Sequence, residues 1–193
     1  AELIVQGFQN KTLQIINNKR QKTNFLMVRF GNVINSSGSV IPLFRDQIKN
    51  GGPITLTHEK ITRYFMTINE ACQLVLQSTS LAKGGDVFLL DMGDPVRIKY
   101  VAEQMISLSG LTLKNSLNPS GDIEIKVTGL RRGEKLYEEL LIDSDSLPTE
   151  HPLIFKAVEN FIEYEKLSKI LKKLEICLTN QELESSLDLV SLL

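Results

Sequence analysis

Three short segments of this chain combine arginine with glycine or small polar residues. They are Val28-Arg-Phe-Gly-Asn-Val, Ile61-Thr-Arg-Tyr-Phe and Leu130-Arg-Arg-Gly-Glu-Lys. A guanidinium group stays charged and can donate two parallel hydrogen bonds to a phosphate, and glycine lets the backbone approach a ligand closely. The three segments therefore predict a binding site for a diphosphate group.

Arg63 lies between Thr62 and Tyr64 in a segment that is otherwise rich in apolar residues. This context favours a guanidinium held against the protein, in a position where its planar set of donors suits a diphosphate. The alternative interpretation is an ordinary ion pair with Glu59 or Glu70.

Arg131 and Arg132 follow a predicted strand, and adjacent side chains do not readily point the same way, so we expect only one of them to reach the sheet edge. Glu134 could orient that arginine or accept hydrogen bonds from a ribose. It could also be a carboxylate at a helix start, stabilised by the helix dipole. Glu138, in the same predicted helix, is expected to face solvent.

Two further candidates lie where predicted strands or loops end. Asn32 follows an apolar strand, and open α/β folds bind ligands at the carboxyl ends of their strands; the alternative is an Asx turn. Ser39 ends a serine-rich loop before a predicted helix, whose N-terminal N–H groups could meet a phosphate or a sugar hydroxyl. The alternative for Ser39 is a simple helix cap.

The elements that carry these residues alternate between helical and extended patterns, so we predict the α/β fold class. Strands are predicted over 24–30, 53–57, 86–91 and 123–127. Helices are predicted at the start of the chain, over 40–50, 70–81, 97–108 and 133–141, and from 155 to the end with a break near Asn180. Residues 143–152 are expected to form a surface excursion.

Composition excludes several classes of protein. A net charge of −1, from 22 basic and 23 acidic residues, does not support nonspecific binding of nucleic acid. The isolated His58 and His151 do not suggest a metal site, and Cys72 and Cys177 do not suggest a disulfide framework. The low cysteine content fits a reducing cytoplasm, where we expect the protein. No apolar run approaches the roughly 20 residues that span a bilayer.

Two motifs of nucleotide-dependent oxidoreductases do not occur in the sequence. There is no Gly-x-Gly-x-x-Gly, and no Tyr is followed by Lys four residues later. In addition, helical periodicity begins at Ala1 without a capping residue or an initiating Met. We therefore expect the chain to be a fragment.

Six segments, taken in order, closely resemble the CapD-like polysaccharide-biosynthesis family, which are nucleotide-sugar 4,6-dehydratases of the extended short-chain dehydrogenase/reductase superfamily. The segments are Val28-Arg-Phe-Gly-Asn-Val, Gly38-Ser-Val-Ile-Pro-Leu-Phe, Gly51-Gly-Pro-Ile-Thr-Leu-Thr, Ile61-Thr-Arg-Tyr-Phe-Met-Thr, Leu90-Asp-Met-Gly and Gly129-Leu-Arg-Arg-Gly-Glu-Lys-Leu-Tyr-Glu-Glu-Leu-Leu. The resemblance runs over 1–154. It predicts a C-terminal Rossmann remnant with an interleaved substrate-binding lobe there, and a helical extension over 155–193.

The resemblance implies an activity for the full-length protein. Such enzymes hold NAD(P) in a Rossmann domain and bind a UDP-N-acetylhexosamine, usually UDP-N-acetylglucosamine, in a smaller lobe. Hydride moves from sugar C4 to the cofactor, water leaves across C5 and C6, and hydride returns to C6. The chain alone is expected to be inactive, because it lacks the cofactor and acid/base motifs. The full-length protein is expected to be a homo-oligomer, and anchoring of the parent to a membrane by other parts is left open.

The resemblance also implies roles for single residues. Those matched to substrate binding are Asn32, Ser39, Val40, Leu56, Arg63, Arg131 and Glu134, and those matched to the nicotinamide end of the cofactor are Phe30 and Gly31. Arg132 occupies the position where the family usually has proline, so the turn is expected to be less rigid. A UDP-sugar C4 epimerase and a non-catalytic nucleotide-binding module are the alternative functions.

Overall fold

The computed structural model describes residues 2–11, 13–16, 19–138, 146–158 and 162–191, and within them it is a mixed α/β protein. Helices α1 to α6 span Glu2–Lys11, Val40–Lys49, Ile68–Leu81, Ile98–Leu108, Tyr164–Thr179 and Leu183–Ser191. Strands β1 to β13 span Leu13–Ile16, Lys19–Lys22, Leu26–Arg29, Asn32–Val33, Ile54–Leu56, Thr62–Arg63, Phe65–Met66, Asp86–Leu90, Val96–Arg97, Leu113–Lys114, Ile123–Val127, Ser146–Pro148 and Ile154–Ala157. None of the helices in these ranges is both long and apolar enough to cross a membrane.

The chain forms two compact units. The first contains Ala1–Arg29, Val75–Leu90 and Leu141–Leu193, and the second contains Phe30–Leu74 and Asp91–Leu140. The predicted domain boundary at residue 154 stays a prediction.

The first unit is built on a four-stranded sheet in the order β12-β13-β8-β3. Strands β3 and β8 are parallel, whereas β13 runs antiparallel to both β8 and β12. Every residue of β8 is buried, as its continuous apolar sequence predicts for a parallel strand. Helix α1 packs on α5, where the rings of Phe8 and Tyr164 lie 4.9 Å apart.

The second unit is built on a three-stranded parallel sheet in the order β10-β11-β5. Helices α2 and α4 pack against β5, and their apolar faces form the core with the strands. The buried side chains of this core are Phe44, Ile48, Ile54, Leu56, Ile61, Ile98, Ala102, Ile106 and Ile123. Short strand pairs, β4 with β7 and β6 with β9, join the loops of this unit.

Most predicted elements agree with the structure, but two predictions of helix are wrong. Residues 133–138 form a turn, a bend and irregular backbone, because the side chains of Glu134 and Glu138 contact distant segments instead of a helix surface; 139–141 lie outside the described residues. The segment Ile154–Ala157 is strand β13 and not the start of a helix, because it pairs with the buried strand β8. The predicted surface excursion contains strand β12, and 143–145 lie outside the described residues.

Asp86 is a buried charge at the start of β8, and its residue surface is only 4% exposed. Its Oδ2 accepts hydrogen bonds from the backbone N–H groups of Lys83 at 2.6 Å and Gly84 at 2.9 Å, and its Oδ1 pairs with Lys156 in β13. Burial by itself raises the pKa of Asp86, but the bond from Lys156 and the two backbone donors outweigh it and hold the pKa below its usual value. Asp86 therefore ties the neighbouring strands β8 and β13 together while ionised.

We predict that Asp86→Asn lowers the free energy of unfolding at neutral pH by about 1–3 kcal/mol, the usual effect of losing hydrogen bonds to a buried charge. The pKa of Asp86 is lower in the folded than in the unfolded state. Asp86 therefore contributes fully to the free energy of unfolding above its pKa in the unfolded state, and this contribution is lost as the pH falls through its pKa in the folded state. Urea denaturation at neutral and acid pH, with the exposed Asp94→Asn as control, measures this. A difference between wild type and Asp86→Asn that does not shrink in acid contradicts the prediction.

Candidate functional site

The second unit contains a cavity of about 700 Å³. All the residues predicted to bind substrate line it: Asn32, Ser39, Val40, Leu56, Arg63, Arg131 and Glu134. These residues come from five segments of the chain: β4, the start of α2, β5, β6 and the segment after β11. Their roles in binding stay predictions, but their common position is an observation.

The parallel pairing of β5 and β11 brings two of these segments together. Leu56 at the end of β5 is in register with Val127 at the end of β11, and the Thr128 N–H donates to the Leu56 carbonyl at 2.8 Å. Gly129, with φ +93°, then turns the chain into the segment that contains Arg131 and Glu134. The carboxyl ends of both strands therefore lead into the cavity.

Arg63 has one hydrogen bond and two ion pairs, each at a different nitrogen atom. Its side chain is 15% exposed, its Nη2 lies 3.6 Å from Oε1 of Glu134 and its Nε lies 3.3 Å from Oε1 of Glu138. Its Nη1 donates to the carbonyl of Thr62 at 2.7 Å. Arg63 is therefore a largely buried cation with two carboxylate partners, and the prediction that Glu138 faces solvent alone is wrong.

The alternative interpretation of Arg63, an ion pair with a carboxylate close in sequence, is also wrong. Glu59 pairs with Lys99 at 3.7 Å. Glu70 caps helix α3, where its Oε2 accepts hydrogen bonds from the N–H and the hydroxyl of Thr67, both at 2.7 Å. Both local carboxylates are thus used elsewhere.

Glu134 connects three segments of the cavity wall. Its Oε1 accepts the hydroxyl of Thr57 at 2.9 Å, and its Oε2 accepts the N–H of Arg131 at 3.1 Å. Burial by itself raises the pKa of Glu134, but these hydrogen bonds and the charges of Arg63 and Arg131 outweigh it and lower the pKa. Glu134 therefore orients the site as an ionised group. The helix-start interpretation is wrong, and contact with a ribose stays a prediction.

The two adjacent arginines differ as expected. The side chain of Arg131 lines the cavity, whereas Arg132 does not belong to its lining. Among the described residues the guanidinium of Arg131 has no hydrogen bond or ion pair, unlike that of Arg63. Arg131 is therefore available to an anion without giving up a partner.

Asn32 and Ser39 do not make the local hydrogen bonds that their alternative interpretations require. The Nδ2 of Asn32 donates to the carbonyl of Tyr64 at 3.3 Å, across the β4–β7 pair and not within an Asx turn. Ser39 occupies the N-cap position of α2, but its hydroxyl makes no capping bond and is buried without a partner among the described residues. Since the first turn of α2 has no acidic residue, the positive end of its dipole can attract an anion.

The two residues predicted to contact the cofactor do not line the cavity. Phe30 is 41% exposed. The N–H of Gly31 lies 2.8 Å from Sδ of Met92, and a Cβ added at Gly31 would lie 2.9 Å from both this sulfur and the Tyr64 carbonyl oxygen. Close packing within the protein thus explains the glycine, and the contact of both residues with a cofactor stays a prediction.

Sequence reasoning missed the contributions of Thr57 and Glu138. Thr57 ends the predicted strand 53–57, and a position at a strand end in an α/β fold was an available signal. For Glu138 there was no such signal, because the predicted helix put it on a solvent face.

Comparisons with known proteins agree with this architecture. Residues 4–159 match the family described as "Polysaccharide biosynthesis protein". The capsular polysaccharide biosynthesis protein CapD of Staphylococcus aureus is 47% identical over 190 residues, which cover 90% of this chain and 29% of CapD. A UDP-glucose 4-epimerase of Rickettsia bellii is 36% identical over 133 residues, which cover 69% of this chain and 36% of the epimerase.

A solved structure is similar over most of the chain. The X-ray structure of Pen from Bacillus thuringiensis superposes with a TM-score of 0.64 at 32% identity, covering 84% of this chain and 47% of Pen. The chain thus spans less than half the length of each of these three proteins. The predicted α/β fold class and the predicted family are confirmed, and the chain belongs to the polysaccharide biosynthesis protein family to which its six ordered segments point.

Proposed function

We propose that this chain supplies the UDP-sugar-binding part of an NAD(P)-dependent nucleotide-sugar 4,6-dehydratase. The substrate we propose is a UDP-N-acetylhexosamine, with UDP-N-acetylglucosamine the first to test, and the product would enter a surface polysaccharide. The observation that carries the proposal is that Arg63 and Arg131, from distant segments, line one cavity. Membership of the polysaccharide biosynthesis family supports it independently.

The cavity suits a nucleotide diphosphate in size and charge. Its volume of about 700 Å³ lies in the range of roughly 300–1,000 Å³ that small-molecule sites have. In the proposal Arg131 binds the diphosphate directly, Arg63 adds a second guanidinium, and Asn32 supplies an amide nearby. The diphosphate also benefits from the uncompensated N-terminus of α2.

The remaining lining residues suit the nucleoside. Leu56 and Val40 offer an apolar wall for the uracil ring, and both line the cavity. A ligand acceptor would satisfy the buried hydroxyl of Ser39. Glu134 has lone pairs beyond those used by Thr57 and Arg131, so it can also accept from a ribose hydroxyl.

A nicotinamide dinucleotide would supply the hydride transfer of the full-length enzyme. Within this chain we propose that Phe30 and Gly31 contact its nicotinamide end, because the exposed ring of Phe30 can pack on a flat heterocycle. These residues could hold only this part of the cofactor. Gly31 is enclosed by Met92 and Tyr64, and the sequence has no Gly-x-Gly-x-x-Gly that could hold the diphosphate of the cofactor. We therefore propose that other parts of a longer protein hold the cofactor and the acid/base groups, and that this chain does not turn over substrate by itself.

A C4 epimerase acting on a UDP-sugar is the second candidate. The observation that favours it is the Rickettsia bellii UDP-glucose 4-epimerase, which matches 69% of this chain. Both candidates use the same diphosphate cradle and differ in their products. A non-catalytic nucleotide-binding module, the third candidate, shares the binding but forms no product.

We predict that the chain binds UDP and UDP-N-acetylglucosamine in isothermal titration calorimetry, and uridine much more weakly. Arg131→Ala should weaken the binding of UDP by about 2 kcal/mol, the usual contribution of a charge-assisted hydrogen bond. Arg132→Ala is the matched control: it removes the same charge from the neighbouring residue, which does not line the cavity. It should leave the affinity for UDP nearly unchanged. Equal losses of affinity in the two variants would mean that UDP responds to the overall positive charge and not to Arg131 in the cavity. If the wild-type chain does not bind UDP, the proposed function is overturned.

We predict that the full-length protein converts UDP-N-acetylglucosamine into a 4-keto-6-deoxy product lighter by one water. Mass spectrometry of the product distinguishes this dehydration from C4 epimerisation, which leaves the mass unchanged. A product of unchanged mass with inverted C4 in the NMR spectrum would support the epimerase, and no product despite binding would support the non-catalytic module. In the full-length enzyme Arg131→Ala should mainly raise KM, because Arg131 contacts the substrate and not the reacting carbons.

A further inference from the structure

Glu138 is a charged neighbour of the cavity to which neither the resemblance nor the proposed function assigns a role. It does not line the cavity, but its Oε1 lies 3.3 Å from Nε of Arg63. We propose that Glu138 is a positioning residue that fixes the guanidinium plane of Arg63, so that Nη2 stays directed toward Glu134 at the cavity wall. The inference rests on the proposed function only for the identity of the ligand.

One hydrogen bond and two ion pairs divide the donors of Arg63 into an occupied and a less occupied edge. A guanidinium has five N–H donors in a fixed plane. Nε is engaged by Glu138, and Nη1 donates to the Thr62 carbonyl at 2.7 Å. Nη2 lies 3.6 Å from Glu134, which is longer than a normal hydrogen bond. Acceptors at two different nitrogens prevent rotation of the plane, and the Nη2 donors remain for a ligand.

Burial explains why Arg63 needs this second carboxylate. The side chain of Arg63 is 15% exposed, and a mostly buried cation is costly unless it is paired. Glu134 neutralises Arg63 only in part, because its carboxylate also accepts hydrogen bonds from Thr57 and Arg131 and lies 3.6 Å from Nη2. Among the described residues Glu138 has an ion pair only with Arg63 and its side chain is 35% exposed, so it can follow the guanidinium without breaking another ion pair.

A competing role for Glu138 predicts the opposite effect. Arg63, Arg131, Glu134 and Glu138 together carry no net charge, so Glu138 could act simply as a counter-ion that a diphosphate must displace. In that case its removal would strengthen binding. We favour positioning because Glu138 is partly exposed, so solvent screens its charge and weakens it as a counter-ion. Its position beside Nε limits rotation of the guanidinium, and this effect does not depend on the screened charge.

The test compares Glu138→Ala with Glu138→Gln in titrations of the chain with UDP. Glu138→Ala should weaken UDP binding by about twofold to fivefold, the effect of a partly exposed ion pair. Glu138→Gln should restore the wild-type affinity or exceed it, because an amide oxygen can occupy the same position beside Nε without the negative charge. The matched control is Glu124→Ala, which removes an exposed carboxylate of the same unit without an ion pair among the described residues. Thermal unfolding confirms that all variants are folded.

Each outcome bears on the proposal. Raised affinity in Glu138→Ala overturns the proposal in favour of the counter-ion role, and unchanged affinity overturns it without supporting that role. Equal weakening in Glu138→Gln overturns the geometric argument. The Nε–H signal of Arg63, assigned through Arg63→Lys in a sample labelled with ¹⁵N-arginine, gives a readout without ligand. This signal should shift and exchange faster with water in Glu138→Ala but not in Glu138→Gln. If wild type binds no UDP, the proposed function fails, and this signal alone decides whether Glu138 fixes Arg63.

Discussion

The carboxylate of Glu134 is the interaction on which the site depends. It joins the end of β5 through Thr57, the β6 strand through Arg63 and the turn after β11 through the N–H of Arg131. Two guanidiniums that line one cavity repel each other, and an ionised carboxylate beside them offsets this repulsion. The site is therefore held in shape by its own charges before any ligand binds, which reduces the ordering that binding requires.

The parallel sheet of the second unit determines which residues can reach that carboxylate. Because β5 and β11 are adjacent and parallel, Thr57 and the 128–134 segment leave the sheet at the same edge. The apolar core of this unit, which contains Phe44 of α2, Ile98 of α4 and Leu56 of β5, supports this edge. Burial of ordinary apolar residues thus fixes the positions of charged groups that are far apart in the sequence.

Local signals account for what could be predicted from the sequence. Strand β8 is a run of apolar residues, and α2 lies between Ser39 and the glycine pair 51–52, so both were predictable. The partners of Arg63 were not, because its nearest carboxylates in sequence are Glu59 and Glu70 while its partners in space come from the segment after β11. Strand β13 was missed for the same reason: Ile154 pairs with Leu90, and nothing local distinguishes its sequence from a helix. Pairings between distant segments therefore limited the prediction of both fold and site.

The replacement of the usual proline by Arg132 shows how the same carboxylate stabilises the turn. Proline would restrict φ and remove an N–H, and its absence predicts a looser turn. In the structure the Arg131 N–H donates to Oε2 of Glu134 at 3.1 Å, and the Glu134 N–H donates back to the Arg131 carbonyl at 3.0 Å. This reciprocal pair closes a ring around Arg132 and Gly133 and restricts the turn without a proline. Since the same Glu134 also faces Arg63, the stability of the turn and the charge balance of the cavity are properties of one side chain.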